Sequence, residues 1–290
     1  MIIANNIEKS FGPQVLFDGV SFLINPGERI GLVGKNGTGK STLFRMILGN
    51  EKQDAGTLST PKGYRIGALE QHIHFTQPTV LAECIQALPA EKQWDHYKAE
   101  IILSGLGFTE QDFQKDPTTF SGGFQVRINL CKALLADPNM LLLDEPTNYL
   151  DILSLRWLKE YLNKWPGEMM LITHDRDFMD NVTTHTLGLH RKQARKVKGG
   201  TIKFYEMMIQ EEETYEQTRK NLENKRKEMQ SLIDRFRAKA SKATMAQSRL
   251  KMMEKMGTME KLDTEKNLGF RFNHLSCPGK TIMNIEHLSF

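Results

Sequence analysis

Glu28-Arg29-Ile30-Gly31-Leu32-Val33-Gly34-Lys35-Asn36-Gly37-Thr38-Gly39-Lys40-Ser41-Thr42-Leu43-Phe44-Arg45-Met46-Ile47-Leu48 is the stretch that decides the fold. Glu28 to Val33, apolar from Ile30, reads as a strand and Thr42 to Leu48 as a helix. Between them Gly34 to Ser41 fits the pattern G-x-x-x-x-G-K-[ST] in the strand–loop–helix context that the motif requires. Glycines let such a loop fold tightly enough for successive backbone N–H groups, with the helix N-terminus behind them, to point at phosphates. A glycine-rich turn with a chance lysine is the bland alternative, and the order of strand, loop and helix weighs against it.

The expected phosphate-binding residues are therefore Gly34, Asn36, Gly37, Gly39, Lys40, Ser41 and Thr42, with Lys40 reaching the β- and γ-phosphates of ATP and Ser41 binding Mg²⁺. Two more apolar runs end in polar clusters, and in a parallel sheet the carboxyl ends of strands are where ligands sit. Met140 to Leu143 runs into Asp144-Glu145, which assigns Asp144 to the metal and Glu145 to attacking water as general base. Met169 to Ile172 runs into Thr173-His174-Asp175, and His174 could bridge the γ-phosphate and sense its loss. Standing alone, Asp-Glu at a strand end is more often a solvated turn, and such a histidine more often a surface residue.

The chain has 290 residues and a formal charge of +4, enough length for one large core plus an appendage. Cys84, Cys131 and Cys277 are far apart and form no metal-like pair, which suits a reducing cytoplasm better than a disulfide scaffold. No apolar run approaches about 18 residues, so no membrane domain is expected. Residues 1–204 alternate strand and helix patterns as an α/β domain does. Residues 205–267 change to charged helix formers, with apolar stripes at Met229, Leu232, Ile233 and Phe236 and at Leu250, Met253 and Met256. Two helices meeting through a turn near Ser241 to Thr244 are predicted. Residues 268–290 echo the opening of the chain, with Asn-Ile-Glu shared at Asn6-Ile7-Glu8 and Asn284-Ile285-Glu286, as the start of an incomplete second copy would.

Ser121-Gly122-Gly123-Phe124-Gln125, opening a helical run from Val126 to Ala136, completes a set that resembles an ATP-binding cassette (ABC) ATPase. The loop at 34–41, Gln71, Ser121 to Gly123, the strand at 140–145 and His174 stand in that family's order. The resemblance implies the P-loop NTPase fold of ABC type, with an antiparallel β part and a small helical subdomain. It also implies that Phe11 stacks on adenine, that Gln71 touches Mg²⁺ and water, and that Ser121, Gly122, Gly123 and Asp151 act on ATP held by an opposite cassette. A second cassette or a homodimer is then needed to close the sites, and an isolated cassette should be a weak ATPase.

Within that family the chain is similar to the ABC-F proteins, soluble translation factors with two cassettes and a helical-hairpin linker. Asp144-Glu145-Pro146-Thr147-Asn148-Tyr149-Leu150-Asp151 matches their D-E-P-T-N-H-L-D except at Tyr149, and Thr173 to Phe178 resembles their S-H-D-R-x-F. Between Lys225 and Lys255 ten Lys and Arg face only Glu228, Asp234 and Glu254, a density that suits phosphate contacts better than a solvated face. The resemblance puts this linker near ribosomal RNA and peptidyl-tRNA on the ribosome, with Arg235, Arg237, Lys239, Lys242 and Arg249 as candidate contacts. Only about fifty residues separate Gln71 from Ser121, which leaves no room for the arm of other members, and Phe120 and Phe124 depart from the usual signature. Two other functions share the nucleotide motifs: an ATPase subunit of an ABC transporter, which has no need of the basic linker, and a truncated, inactive binding fragment.

Overall fold

The computed structural model describes residues 1–69, 74–92, 94–237, 243–255 and 257. They divide into two compact units, Met1–Gln210 and a second that begins at Glu211. The first unit thus extends past the expected boundary at residue 204. Among the described residues no helix is long and apolar enough to cross a membrane.

The first unit is α/β, with one antiparallel and one mainly parallel sheet. β1 (Ile2–Phe11), β2 (Gln14–Ile24) and β4 (Ala55–Ser59) form the antiparallel sheet, in the order β2-β1-β4. β3 (Arg29–Gly34), β5 (Ile66–Ala68), β6 (Met140–Asp144), β7 (Glu168–Ile172), β8 (His185–His190) and β9 (Gln193–Lys198) form the second, in the order β5-β6-β7-β3-β8-β9. Every pairing in it is parallel except β8 with β9. The strands read from the sequence at β3, β6 and β7 are all present.

Two apolar clusters cover the two faces of the larger sheet, and alternate residues of one strand go to different clusters. Met140, Leu142 and Met170 pack with Ile7, Phe17 and Ile24 of the antiparallel sheet and with Leu43 and Phe44 of α1 (Lys40–Ile47). Leu141, Leu143, Met169 and Leu171 pack on the other side with Ile128, Leu134, Leu158 and Phe178. Burial on both faces is why β6 and β7 are continuous apolar runs rather than alternating ones.

α2 (Val80–Ile85), α3 (His96–Gly105) and α4 (Gly122–Leu135) form the small helical subdomain. Glu83, almost fully buried on α2, accepts hydrogen bonds from the backbone N–H groups of Thr76 and Gln77, both at 2.8 Å, and from Lys132 Nζ of α4 at 2.5 Å. Phe120 and Phe124, the departures from the usual signature, have a local reason: both pack edge-on against Phe108, at 5.5 and 5.1 Å between ring centroids. α4 starts at Gly122, ahead of the run predicted from Val126, because the two glycines are its first turn.

α5 (Ile152–Asn163) and α6 (Arg176–Val182) follow β6 and β7. α7 (Thr201–Arg237) starts in the first unit, where Phe204 is buried and Met207 and Met208 pack on the core. In the second unit, α7 continues and α8 (Ala243–Lys255) follows it, so Ala243 and Thr244, expected in the turn, are helical. Ile233 is buried there and Met229, Leu232, Leu250 and Met253 are half-buried. The Arg226 guanidinium donates to the Gly257 carbonyl. Cys277, the echo at 268–290, Met256 and the Phe236 side chain lie outside the described residues.

Candidate functional site

β3, β6 and β7 lie side by side, so their carboxyl ends, where the three polar clusters sit, are brought together. A cavity of about 590 Å³ opens there. Its wall contains Asn36, Gly37, Gly39, Lys40, Ser41 and Thr42 from the loop and α1, Asp144 and Glu145 from the end of β6, and His174 after β7. Phe11, exposed at the end of β1, lines the same cavity, and Lys9 Nζ lies 4.9 Å from its ring centroid. Gln14, Leu16, Arg45 and Ile172 also line it and were not foreseen.

The loop is shaped by backbone demands that its sequence meets. Gly39 has φ of 99°, and a Cβ there would stand 2.7 Å from the Phe17 ring, so both conformation and space require glycine. Gly39 is also the N-cap of α1, where no side chain caps the helix, leaving N–H groups at its start directed to the loop. Lys40 Nζ donates to the carbonyls of Gly34 at 2.7 Å and Lys35 at 3.1 Å.

Ser41 Oγ donates to Asp144 Oδ2 at 3.3 Å, which pairs a hydroxyl with a carboxylate. Burial pushes the Asp144 carboxyl above its usual range, against the smaller pull of Ser41 and Lys40. Burial also lowers the Lys40 ammonium, against Asp144 and Glu145. Glu145 has φ of 51°, an uncommon conformation for a residue with a long side chain, and its N–H donates to Ile172 O at 2.8 Å. Its carboxylate lies 3.4 Å from His174 Nε2 and accepts from the His174 N–H at 3.4 Å. The imidazole is 80% exposed and the carboxylate 22%.

The signature residues are elsewhere. Ser121 is the N-cap of α4 and makes no side-chain cap, and neither it nor Gly122 and Gly123 lines the cavity. Asp151 caps α5, accepting from Ser154 N–H at 2.8 Å and from Arg127 Nη1 of α4 at 3.0 Å. Arg127 also donates to Tyr149 O, at 2.9 Å from Nε and 2.6 Å from Nη2, and stacks 4.6 Å from the Phe124 centroid. This buried arginine ties the signature helix to the loop carrying Asp151. Sequence reasoning missed it because its hydrogen-bond partners lie more than twenty positions away.

Gln71, Lys239 and Lys242 lie outside the described residues. Arg235 is exposed on α7 and Arg249 half-buried on α8; of Arg237 only the helical backbone is described.

Family models described as ABC transporter match residues 17–148 and 187–272. The probable ATP-binding protein YheS of Escherichia coli is 30% identical over 323 aligned positions, covering 100% of this chain and 50% of that protein. The ATP-binding cassette sub-family F member 3 of Rattus norvegicus is 32% identical, covering 92% of this chain and 42% of the relative. The putative ATP-binding protein YdiF of Bacillus subtilis is 31% identical over 98% of this chain and 51% of its own. The chain belongs to the ATP-binding cassette family. Within it, these relatives place the chain in sub-family F, as the first cassette with the helical segment that follows.

The chain spans about half the length of the curated relatives it matches. The cassette fold also matches the solved structure of an ATP-binding subunit of an ABC transporter, with a TM-score of 0.61 at 21% identity over 68% of this chain and 90% of the other. A dimeric cassette bound to ADP and Pi matches with a TM-score of 0.55 at 22% identity, over 68% of this chain and 98% of that one.

Proposed function

We propose that this cassette binds ATP with Mg²⁺ in the cavity between the loop and the ends of β6 and β7, and that hydrolysis there drives a conformational switch on the ribosome. The observation that carries the nucleotide site is the convergence of Lys40, Ser41, Asp144, Glu145 and His174 on one cavity. A hydroxyl and a carboxylate are the hard oxygen donors that Mg²⁺ prefers, and among the described residues no cluster of three or more His, Cys, Asp or Glu competes for a metal. Burial disfavours the charged forms of Lys40 and Asp144, and a phosphate beside one with a cation beside the other relieves both. The residues present therefore fit the group.

In this reading Phe11 stacks on the adenine, and Asn36, Gly37 and Gly39 cradle phosphate oxygens with backbone N–H groups. Lys40 exchanges its loop carbonyls for the β- and γ-phosphates. Ser41 and Asp144 would hold Mg²⁺, with Gln71 as a further candidate contact. Bound Mg²⁺ supplies neutralisation of charge on the phosphoryl oxygens. Glu145 takes the proton of the attacking water, and His174, within reach of its carboxylate, orients against the γ-phosphate. Ser121, Gly122, Gly123 and Asp151 act on the site of a second cassette or a second copy of this chain.

The ribosomal partner is supported by membership of sub-family F and by the basic stretch from Lys225 to Lys255, whose candidate contacts are Arg235, Arg237, Lys239, Lys242 and Arg249. Cytoplasmic location belongs to the same proposal. Calorimetric titration with Mg-ATP tests the site: Glu145→Gln is expected to bind as the unaltered chain does, and Lys40→Ala at least about tenfold more weakly. Equal affinity in Lys40→Ala would place the phosphates somewhere else.

A further inference from the structure

We propose that Asp54, acting with Lys9, is a positioning residue of the nucleotide site: it fixes the strand end and the ring of Phe11 on which the adenine of ATP stacks. This rests on the reading of that site given above. Phe11 closes β1, where it pairs with Gln14 of β2, and its side chain is 45% exposed. It stands outside both apolar clusters, so core packing does not hold the ring. On the other side of β1 the pairing with β4 reaches only Glu8 and Ala55, with Asp54 N–H donating to Glu8 O at 2.8 Å. A ring presented to a planar base therefore depends on what replaces β4 beyond Glu8.

Asp54 replaces it. One carboxylate oxygen, Oδ2, accepts the Ser10 N–H at 2.7 Å and the Ser10 hydroxyl at 3.0 Å. The other, Oδ1, lies 3.3 Å from Lys9 Nζ, which also pairs with Glu51 at 2.7 Å and donates to Lys52 O at 2.7 Å. The carboxylate thus grips both residues that precede Phe11. Lys9 and Phe11 are two positions apart on the strand, and the ammonium so held stands over the Phe11 ring, 4.9 Å from its centroid. With a cation over one face of the ring, the opposite face is the one left for a base.

Closing the edge of the sheet is the plainer role for such a cluster. That role does not require a lysine whose side chain is only 9% exposed, because an apolar side chain fills the same space without burying a charge. The ammonium is the group that joins the acidic pair to the ring. Asp54 is not part of the cavity wall, so its effect on ATP runs through Lys9, Ser10 and Phe11.

The test is calorimetric titration of the 290-residue chain with Mg-ATP and with Mg-tripolyphosphate, which carries the phosphates without a base. Asp54→Ala is expected to bind Mg-ATP about fivefold more weakly and Lys9→Met about threefold, both with unchanged affinity for tripolyphosphate. Phe11→Ala is expected to lose about tenfold for ATP. Because Asp54 acts through the ring, Asp54→Ala combined with Phe11→Ala is expected to bind ATP no more weakly than Phe11→Ala alone. Should Asp54→Ala fail to fold, Lys9→Met and its combination with Phe11→Ala carry the same comparison.

Unaltered ATP affinity in both Asp54→Ala and Lys9→Met, an equal loss for ATP and tripolyphosphate, or losses that add in the double variant would each overturn the positioning role and leave the nucleotide site standing. Unchanged ATP affinity in Phe11→Ala would instead overturn the stacking assignment itself, and this role with it.

Discussion

Lys40 and Glu145 sit on one cavity wall, and their substitutions are expected to fail in different ways. In the proposed site Lys40 would supply charge to the bound phosphates, so Lys40→Ala should reduce the rise in Tm that Mg-ATP gives the unaltered chain. As the proposed base, Glu145 would act only as bonds change, so Glu145→Gln should keep that rise and lower single-turnover hydrolysis by about 10² to 10⁴-fold in a chain paired with its second cassette. Normal turnover in that variant would remove Glu145 from its role as base. These residues were legible because the motif and the two strand ends are local patterns. Gln14 and Leu16 were not, since each reaches the cavity through tertiary placement alone, while Arg45, one turn beyond Ser41 on α1, falls outside the motif. Phe120 and Phe124 looked like defects of the signature until Phe108 supplied their packing partner.

At the scale of elements, the helical subdomain is locked by the Glu83–Lys132 pair between α2 and α4. Burial alone would raise the Glu83 carboxyl, but the bonds from Lys132, Thr76 and Gln77 outweigh it and hold it below its ordinary range. A lowered folded value means this stabilisation is present above the unfolded pKa, about 4.3, and is lost as pH falls through the folded one. Glu83→Ala should cost about 3 kcal/mol in urea denaturation at pH 7, and the difference should shrink at acid pH. A constant difference down to pH 3 would refute the pair's contribution.

The start of α7 shows what a local reading cannot reach. Thr201 is held by Asp180 of α6, whose carboxylate accepts its N–H at 2.7 Å and its hydroxyl at 2.9 Å. The helix therefore begins before the charged composition that announced it near Tyr205. Asp180→Ala should destabilise the first unit by about 1–2 kcal/mol, the value of a lost cap, and an unchanged denaturation midpoint would contradict that.

At the scale of the whole molecule, ATP and signature residues lie at separate places: Lys40 and Glu145 line the cavity, while Ser121 to Gly123 start a helix that does not. Hydrolysis by this chain alone should be slow, and its specific activity should climb with protein concentration if two copies close over ATP. The layout of strands and helices was legible because parallel strands and phosphate loops leave strong patterns; the proposed partner rests only on charge and family likeness.

Sedimentation with purified ribosomes tests the proposed switch most directly, using Glu145→Gln both in the 290-residue chain and in one extended by a second cassette. Co-sedimentation with ATP but not with ADP is the predicted result, and failure of ATP to promote it in either chain would contradict the account.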